Sequence, residues 1–197
     1  MPSGTLWATC NVGASSPEEY GDYFAWGETE PKSDFSWEKY KFRVSGDTWS
    51  NIVLSKYVTD SSYGTLDNKD VLDPSDDAAT MNWGSIWRMP TDDDWTELRN
   101  AQNCTWEWTT KNGVYGSMVT SIRNGNSVFL PAGGWRNGSS LSDSNLGRVG
   151  CYWSSTLTIG PYSAYTMYFL GGGTTISPHH GGTNRPFGLS VRPVFKP

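Results

Sequence analysis

The chain has 197 residues, enough for one domain with a sizeable core, and carries a formal net charge of −5 with a pI near 4.9. That balance argues against nucleic acid as the main partner, because phosphate binding needs a basic surface. With 11 Trp, 10 Tyr and 7 Phe set among 22 Gly and 11 Pro, the sequence reads as a turn-rich, aromatic-cored domain, more β than α.

No apolar run approaches the ~20 residues of a membrane helix, so insertion by this domain is not expected. No secretory signal is recognisable, and Met1 leads straight into the turn-like Pro2-Ser3-Gly4. An upstream targeting segment is therefore expected to be missing from the sequence.

Residues 5–13 read as a strand entering a turn. Ser15 to Tyr20 read as a short helix start, with Ser16 as cap and Pro17 at the first helical position. Residues 22–26 form a second strand. From Glu28 to Asp73 the chain is polar, and long irregular loops are expected there, pinned by Trp37, Tyr40, Trp49 and Tyr57. Ser75 is the expected cap of a short helix that Gly84 stops. Thr91-Asp92-Asp93-Asp94-Trp95 opens the clearest helix, with Thr91 as cap and Trp95 and Leu98 on one face. Its three Asp suit the helix dipole better than a metal, since successive helical side chains diverge.

A meander follows. Cys104, Trp106 and Trp108 alternate on one strand, Asn112-Gly113 turns it, and Val114 to Ile122 form the next. Asn124-Gly125 turns again into Ser127 to Leu130. Leu189 to Val194 form a closing strand. The three cysteines match no zinc spacing. One disulfide plus one free thiol is the simplest count, with Cys10 and Cys104 the favoured pair because both border aromatic strand-like segments. Three buried reduced thiols is the alternative.

The stretch from Ser154 to Phe195 uses a restricted alphabet, with no Lys, Glu, Gln, Asp or Trp and only Met167 for Met. Lys, Glu, Gln, Trp and Met share a property: no codon for them ends in C or T. One reading is an uncharged Gly/Ser/Thr-rich loop, the other a segment randomised at selected codons. In Tyr165-Thr166-Met167-Tyr168-Phe169-Leu170, the odd positions share one strand face, expected to be the core face. Thr166, Tyr168 and Leu170 are expected to point outward. Met167, which a C- or T-ending codon cannot encode, falls on the core face.

Several segments carry a resemblance. Trp87-Arg88-Met89-Pro90-Thr91, followed by Trp95 and Leu98, is similar to the strand–cap–helix motif of formylglycine-generating-enzyme-like domains. Trp7 to Ala14, Gly21 to Glu28, Tyr152 to Thr156 and Ser190 to Val194 resemble the Fibrobacter succinogenes major paralogous domain, common in gut Bacteroidetes and their phages. Some such domains are variable proteins of diversity-generating retroelements. There a reverse transcriptase copies a template repeat and mutates its adenines, spreading Asn codons over all codons ending in C or T. The flanks of the diversified segment match Tyr152–Thr156 and Gly188–Pro193 here.

The resemblance implies an α+β, C-type-lectin-like fold of the formylglycine-generating-enzyme-like subtype, with short helices, antiparallel sheets and much irregular loop. It implies one domain over residues 1–197 with 156–187 as the diversified ligand-binding segment. The expected contacts are Thr158, Ile159, Gly160, Tyr162, Thr166, Tyr168, Leu170, Gly172, Thr174, His179, His180, Thr183 and Asn184. Tyr162 and Tyr168 supply rigid aromatic surface with a polar tip among small residues, as antibody paratopes do. The expected partner is a protein or glycan on a cell or phage-host surface, met at the cell surface, outside the cell or on a phage particle. No cofactor, metal or enzymatic activity is expected. Adjacent histidines can bind metal, but no carboxylate or Cys accompanies His179 and His180.

Two other classes stand beside this one. Formylglycine-generating chemistry requires reactive cysteines near the C-terminal part of the fold, and only Cys151 is there. The alternative of a fixed-specificity carbohydrate-binding or adhesin module is compatible with the fold. Calcium-dependent sugar binding lacks support, because Glu30-Pro31-Lys32 misses its last oxygen ligand and no Trp-Asn-Asp occurs.

Overall fold

A computed structural model describes residues 1–141, 145–171 and 179–195, with the side chains of His179 and His180 left outside the description. Strands β1 (Leu6–Trp7), β2 (Tyr23–Phe24), β3 (Arg43–Ser45) and β4 (Val53–Leu54) come first. Helix α1 (Ala78–Trp83), strand β5 (Trp87–Arg88) and helix α2 (Asp92–Arg99) follow. The meander β6 (Cys104–Lys111), β7 (Val114–Ser121) and β8 (Ser127–Pro131) precedes the short pair β9 (Arg136–Asn137) and β10 (Ser140–Leu141). Last come β11 (Val149–Leu157), β12 (Ser163–Leu170), β13 (His179–Asn184), β14 (Leu189–Ser190) and β15 (Val194–Phe195). The architecture is α+β, mostly strands in several sheets with few short helices. No helix among the described residues is long and apolar enough to cross a membrane.

Local chemistry accounts for the elements and for three departures from expectation. In α2, Thr91 and Asp94 form a reciprocal capping box, and Asp94 Oδ2 also accepts from Arg88 Nη1 at 2.6 Å. The acid is thus committed to the helix start. In α1 the cap is Asp77, not Ser75: Asp77 Oδ1 accepts the Thr80 N–H at 2.9 Å. Pro74 nucleates its own 3₁₀ turn, Pro74–Asp76, which absorbs Ser75. Ser15 to Tyr20 make a turn and no helix, because Glu19 Oε2 accepts the Ser15 N–H at 2.7 Å and closes the segment on itself. The β6–β7 hairpin turns on Asn112 and Gly113 at φ 49° and 82°, as a type I′ turn requires. The expected closing strand is two strands. β14 joins the central sheet while β15 pairs with β1 and β5, bringing Leu6 opposite Phe195.

The central sheet runs β13-β12-β11-β14-β2, with only the β11–β14 pair parallel. Tyr152 pairs with Met167 and Gly150 with Phe169; these share one face. Cys151 pairs with Tyr168 and Trp153 with Thr166, on the other. The first face packs on Trp95 and Leu98 of α2 and on Val119 and Leu130 of the meander. The second packs on Phe24, Trp26, Leu54 and Val58. Gly150 makes this close: a Cβ there would lie 1.9 Å from the Phe169 ring. The sheet is therefore covered on both sides, which explains why β11 is buried almost end to end.

This corrects one expectation about β12. Met167 and Phe169 do face a core, but Thr166 is buried too, at 3% exposure, because its face meets a second core. Exposure on that face rises along the strand, from Thr166 through half-buried Tyr168 to Leu170 at 48%.

The cysteines are a second correction. Cys10 and Cys104 are not bonded, and all three thiols are free. Cys104 opens β6 buried in the α2–meander cluster, its Sγ 3.9 Å from Met1 Sδ, whereas Cys10 lies half-exposed at the bend after β1. Cys151 is sealed in β11, and burial pushes its thiol up to about 12.

Two arginines are fully buried, and among the described residues neither forms an ion pair with a carboxylate. Arg185 donates from Nε to the Tyr40 hydroxyl at 2.8 Å. Its Nη atoms donate to the carbonyls of Pro161, Lys56 and Tyr57 at 3.0, 3.1 and 3.3 Å. Its guanidinium lies over the rings of Trp26, Tyr40, Phe42 and Tyr57, 4.9 to 5.8 Å from their centroids. Arg192 donates to Asn11 Oδ1 and to the carbonyls of Ala8 and Phe129 at 2.8 to 2.9 Å.

Arg185→Met is expected to lower unfolding stability by about 3 kcal/mol, since three buried carbonyls lose their donor. Arg185→Lys should recover only part, because a point charge cannot span the fork. Urea denaturation of the three proteins checks this; unchanged midpoints would refute the clamp. A pH series tests Asp94. Burial pushes its carboxyl up, but the Arg88 pair and the Thr91 hydrogen bonds outweigh that and hold it below its usual value. Its contribution is thus complete above the unfolded pKa of about 3.9 and is lost as pH falls through the lower native value. Asp94→Asn is expected to flatten that acid limb in thermal melts.

Candidate functional site

The restricted-alphabet segment folds as the turn after β11, the strand β12, and the edge strand β13. At the turn, Thr158 Oγ1 donates inward, 2.9 Å from the Gly160 carbonyl and 3.1 Å from that of Ser163. Its hydroxyl shapes the turn. Ile159 stands at the tip, 94% exposed. Tyr162 lays its ring against Gly160, where a Cβ would come within 2.7 Å of it. The same ring lies 5.8 Å from Trp49 and 5.6 Å from Tyr63, centroid to centroid.

Trp49 departs from expectation. It does not pin its loop into the core, as Trp37, Tyr40 and Tyr57 do, but stands 57% exposed. The loop is held by polar groups instead. Asn51 Oδ1 accepts from the Asp47 N–H, the Thr48 N–H and the Thr48 hydroxyl at 2.9 to 3.0 Å, and Asn51 Nδ2 donates to Asp47 Oδ1 at 3.0 Å. Such a knot presents the indole with little left to order on binding.

Along β13, Gly181 and Gly182 are exposed and Thr183 and Asn184 half-buried. Their backbones pair with Thr166, Tyr165, Ala164 and Ser163 of β12. The backbones of His179 and His180 pair with Tyr168 and Met167. Gly172 and Thr174 lie outside the described residues. Among the described residues, no three His, Cys, Asp or Glu side chains gather as a metal would need.

At the far end of β12 lies a cleft of about 620 Å³. Trp108 and Tyr115 of the β6–β7 hairpin line one side, their rings stacked at 12° and 6.1 Å. Asn145 and Arg148 line another, and Leu170 and Gly171 complete it. Gly171 touches the indole so closely that a Cβ would fall 2.0 Å from it, and its N–H donates to the Arg148 carbonyl at 2.8 Å.

The expected contacts therefore do not form one patch. Ile159, Gly160 and Tyr162 gather at one end of the hairpin with Trp49 and Tyr63. Leu170 stands at the other end, roughly 23 Å away along the strand rise. Thr183 and Asn184 lie on the edge strand at the first end, and Thr166 is buried. Trp49, Tyr63, Trp108, Tyr115 and Arg148 were not anticipated as neighbours. The one local sign was an aromatic isolated among polar turn residues, in Asp47-Thr48-Trp49-Ser50-Asn51, and another just past the Asn112-Gly113 turn. Comparisons with protein-family models, with curated proteins and with solved structures found no match.

Ile159→Asp and Leu170→Asp are expected to change unfolding stability by less than about 0.5 kcal/mol, as exposed substitutions do. Thr166→Asp is expected to cost about 3 kcal/mol or more, since it buries an unpaired charge. Thermal and urea unfolding separate the two classes. Equal tolerance at all three positions would contradict the double-sided burial of β12.

Proposed function

We propose that the chain is a non-enzymatic, receptor- or adhesin-type ligand-binding protein of a diversity-generating retroelement, built on a C-type-lectin-like fold. The observation that carries this reading is a separation within one segment. Several expected contacts within the restricted alphabet, such as Ile159 and Leu170, reach solvent, while Met167, outside that alphabet, is fully buried; Thr166, within the alphabet, is buried as well. Backbone pairing holds the hairpin, and backbone pairing is indifferent to side chains at exposed positions. Ligand binding at the cell surface, outside the cell or on a phage particle follows from the same reading, with a protein or glycan as partner. The buried Cys151, its thiol pushed up to about 12, supports a non-enzymatic role, since a thiolate is what reacts.

A second reading has an observation of its own. The exposed aromatics Trp49 and Tyr115 stand outside the restricted segment, which favours a fixed-specificity carbohydrate-binding or adhesin module.

The gene separates the two. Under the retroelement reading, codons for Thr158, Ile159, Gly160, Leu170 and Thr183 end in C or T, although each of these residues also has codons ending in A or G. A near-copy of the segment, rich in AAC, lies beside a reverse-transcriptase gene. Frequent codons ending in A or G at those positions would sink the reading.

A further inference from the structure

We infer that the cleft between the β6–β7 hairpin and the end of β12 binds a saccharide that carries a carboxylate; this deepens the ligand-binding reading and rests on it. The cleft pairs two chemistries that such a ligand needs. Trp108 and Tyr115 are stacked with nearly parallel ring planes, and Tyr115 is 51% exposed, so aromatic surface is open on this side of the cleft. The axial C–H face of a pyranose ring is apolar and lies flat on such a surface, while its hydroxyls stay wet. Arg148 lines the same cleft, exposed, and makes no ion pair among the described residues. Its planar fork matches a carboxylate through two parallel hydrogen bonds.

The size agrees. A volume of about 620 Å³ suits a short oligosaccharide and falls in the range of small-ligand sites. An extended peptide would be expected to add to a free strand edge, and the wall here is made of side chains instead. The walls are also stable against change in the neighbouring segment. Gly171 must remain side-chain-free to pass the Trp108 ring, so the aromatic wall and the Arg148 loop keep their relation whatever stands at position 170. The cleft would thus give a constant chemical preference, with Leu170 adjusting selectivity at its rim.

The test is calorimetric titration of the whole chain with a galacturonate trisaccharide, with the matching neutral galactose trisaccharide, and with an acidic Asp/Glu peptide. The acidic sugar is expected to bind about tenfold more tightly than the neutral one, the worth of a charge-assisted pair. Arg148→Gln is expected to abolish that preference. Tyr115→Ala, at an exposed position, is expected to weaken both sugars roughly fivefold. Circular dichroism confirms that each variant is folded. No binding of the acidic sugar, binding that survives both substitutions, or a preference for the peptide would overturn the inference. These outcomes leave the codon test untouched. Codons ending in A or G with acidic-sugar binding retained would instead remove the retroelement reading alone.

Discussion

The fold depends on a buried cation, Arg185, that no carboxylate pairs with among the described residues. Arg185 is fully buried, and its charge is met by one phenol, three carbonyls and four aromatic faces. Removing a guanidinium from water is costly, and a single carboxylate would leave most of its five donors unused. Carbonyls solve this differently. Each comes from backbone that has no ladder partner of its own: Lys56 and Tyr57 in an irregular stretch, Pro161 in the turn before β12. Tyr57 even adopts φ 60°, and its N–H is held by Asp67. One side chain thereby satisfies the loops that regular structure leaves open, and fixes them to the base of the β12–β13 hairpin. Arg192 repeats the device between the N-terminal strand and the meander.

These anchors bracket the β12–β13 hairpin. On the near side, the indoles of Trp26 and Trp95 donate to the carbonyls of Ser154 and Trp153, and Trp153 donates to Phe24. On the far side stands Arg185, one residue past Asn184, its carbonyl accepting from Trp26. Between them, β12 is held by backbone pairs on both edges and by Met167 and Phe169 beneath. Side chains at the tip, the strand end and the outer edge carry little of this stability. Their identity can change while the frame remains, which is the physical condition for a surface that varies.

Sequence reasoning recovered what local rules dictate. Thr91 and Asp94 cap α2, Asn112-Gly113 turns the hairpin, and strand parity sets Met167 and Phe169 together. It failed where long-range packing decides. Parity says that Thr166 and Met167 face opposite ways, but not whether the opposite way is water; Phe24, Trp26, Leu54 and Val58, far behind in the chain, make it a second core. Ser75 lost its cap to Asp77 because Pro74 starts a turn of its own. Cys10 and Cys104 border similar segments yet lie in different surroundings. Trp49 and Trp37 look alike in a polar stretch, and only the tertiary contacts send one in and one out.

The division of the expected contacts into two ends changes how such a surface works. A single patch would let every substituted side chain touch one ligand. Under the proposed reading, Tyr162 would vary beside two aromatics that stand outside the restricted segment, Trp49 and Tyr63, and Leu170 would vary beside two more, Trp108 and Tyr115. Aromatic walls supply rigid area at small entropic cost. A residue placed at their edge then needs only to favour or obstruct, and obstruction is the easier route to selectivity. Under that reading each end would couple an unchanging source of affinity to a changeable source of discrimination. Two such ends on one hairpin would then engage two points of a large ligand, where the second contact benefits from the effective concentration set by the first.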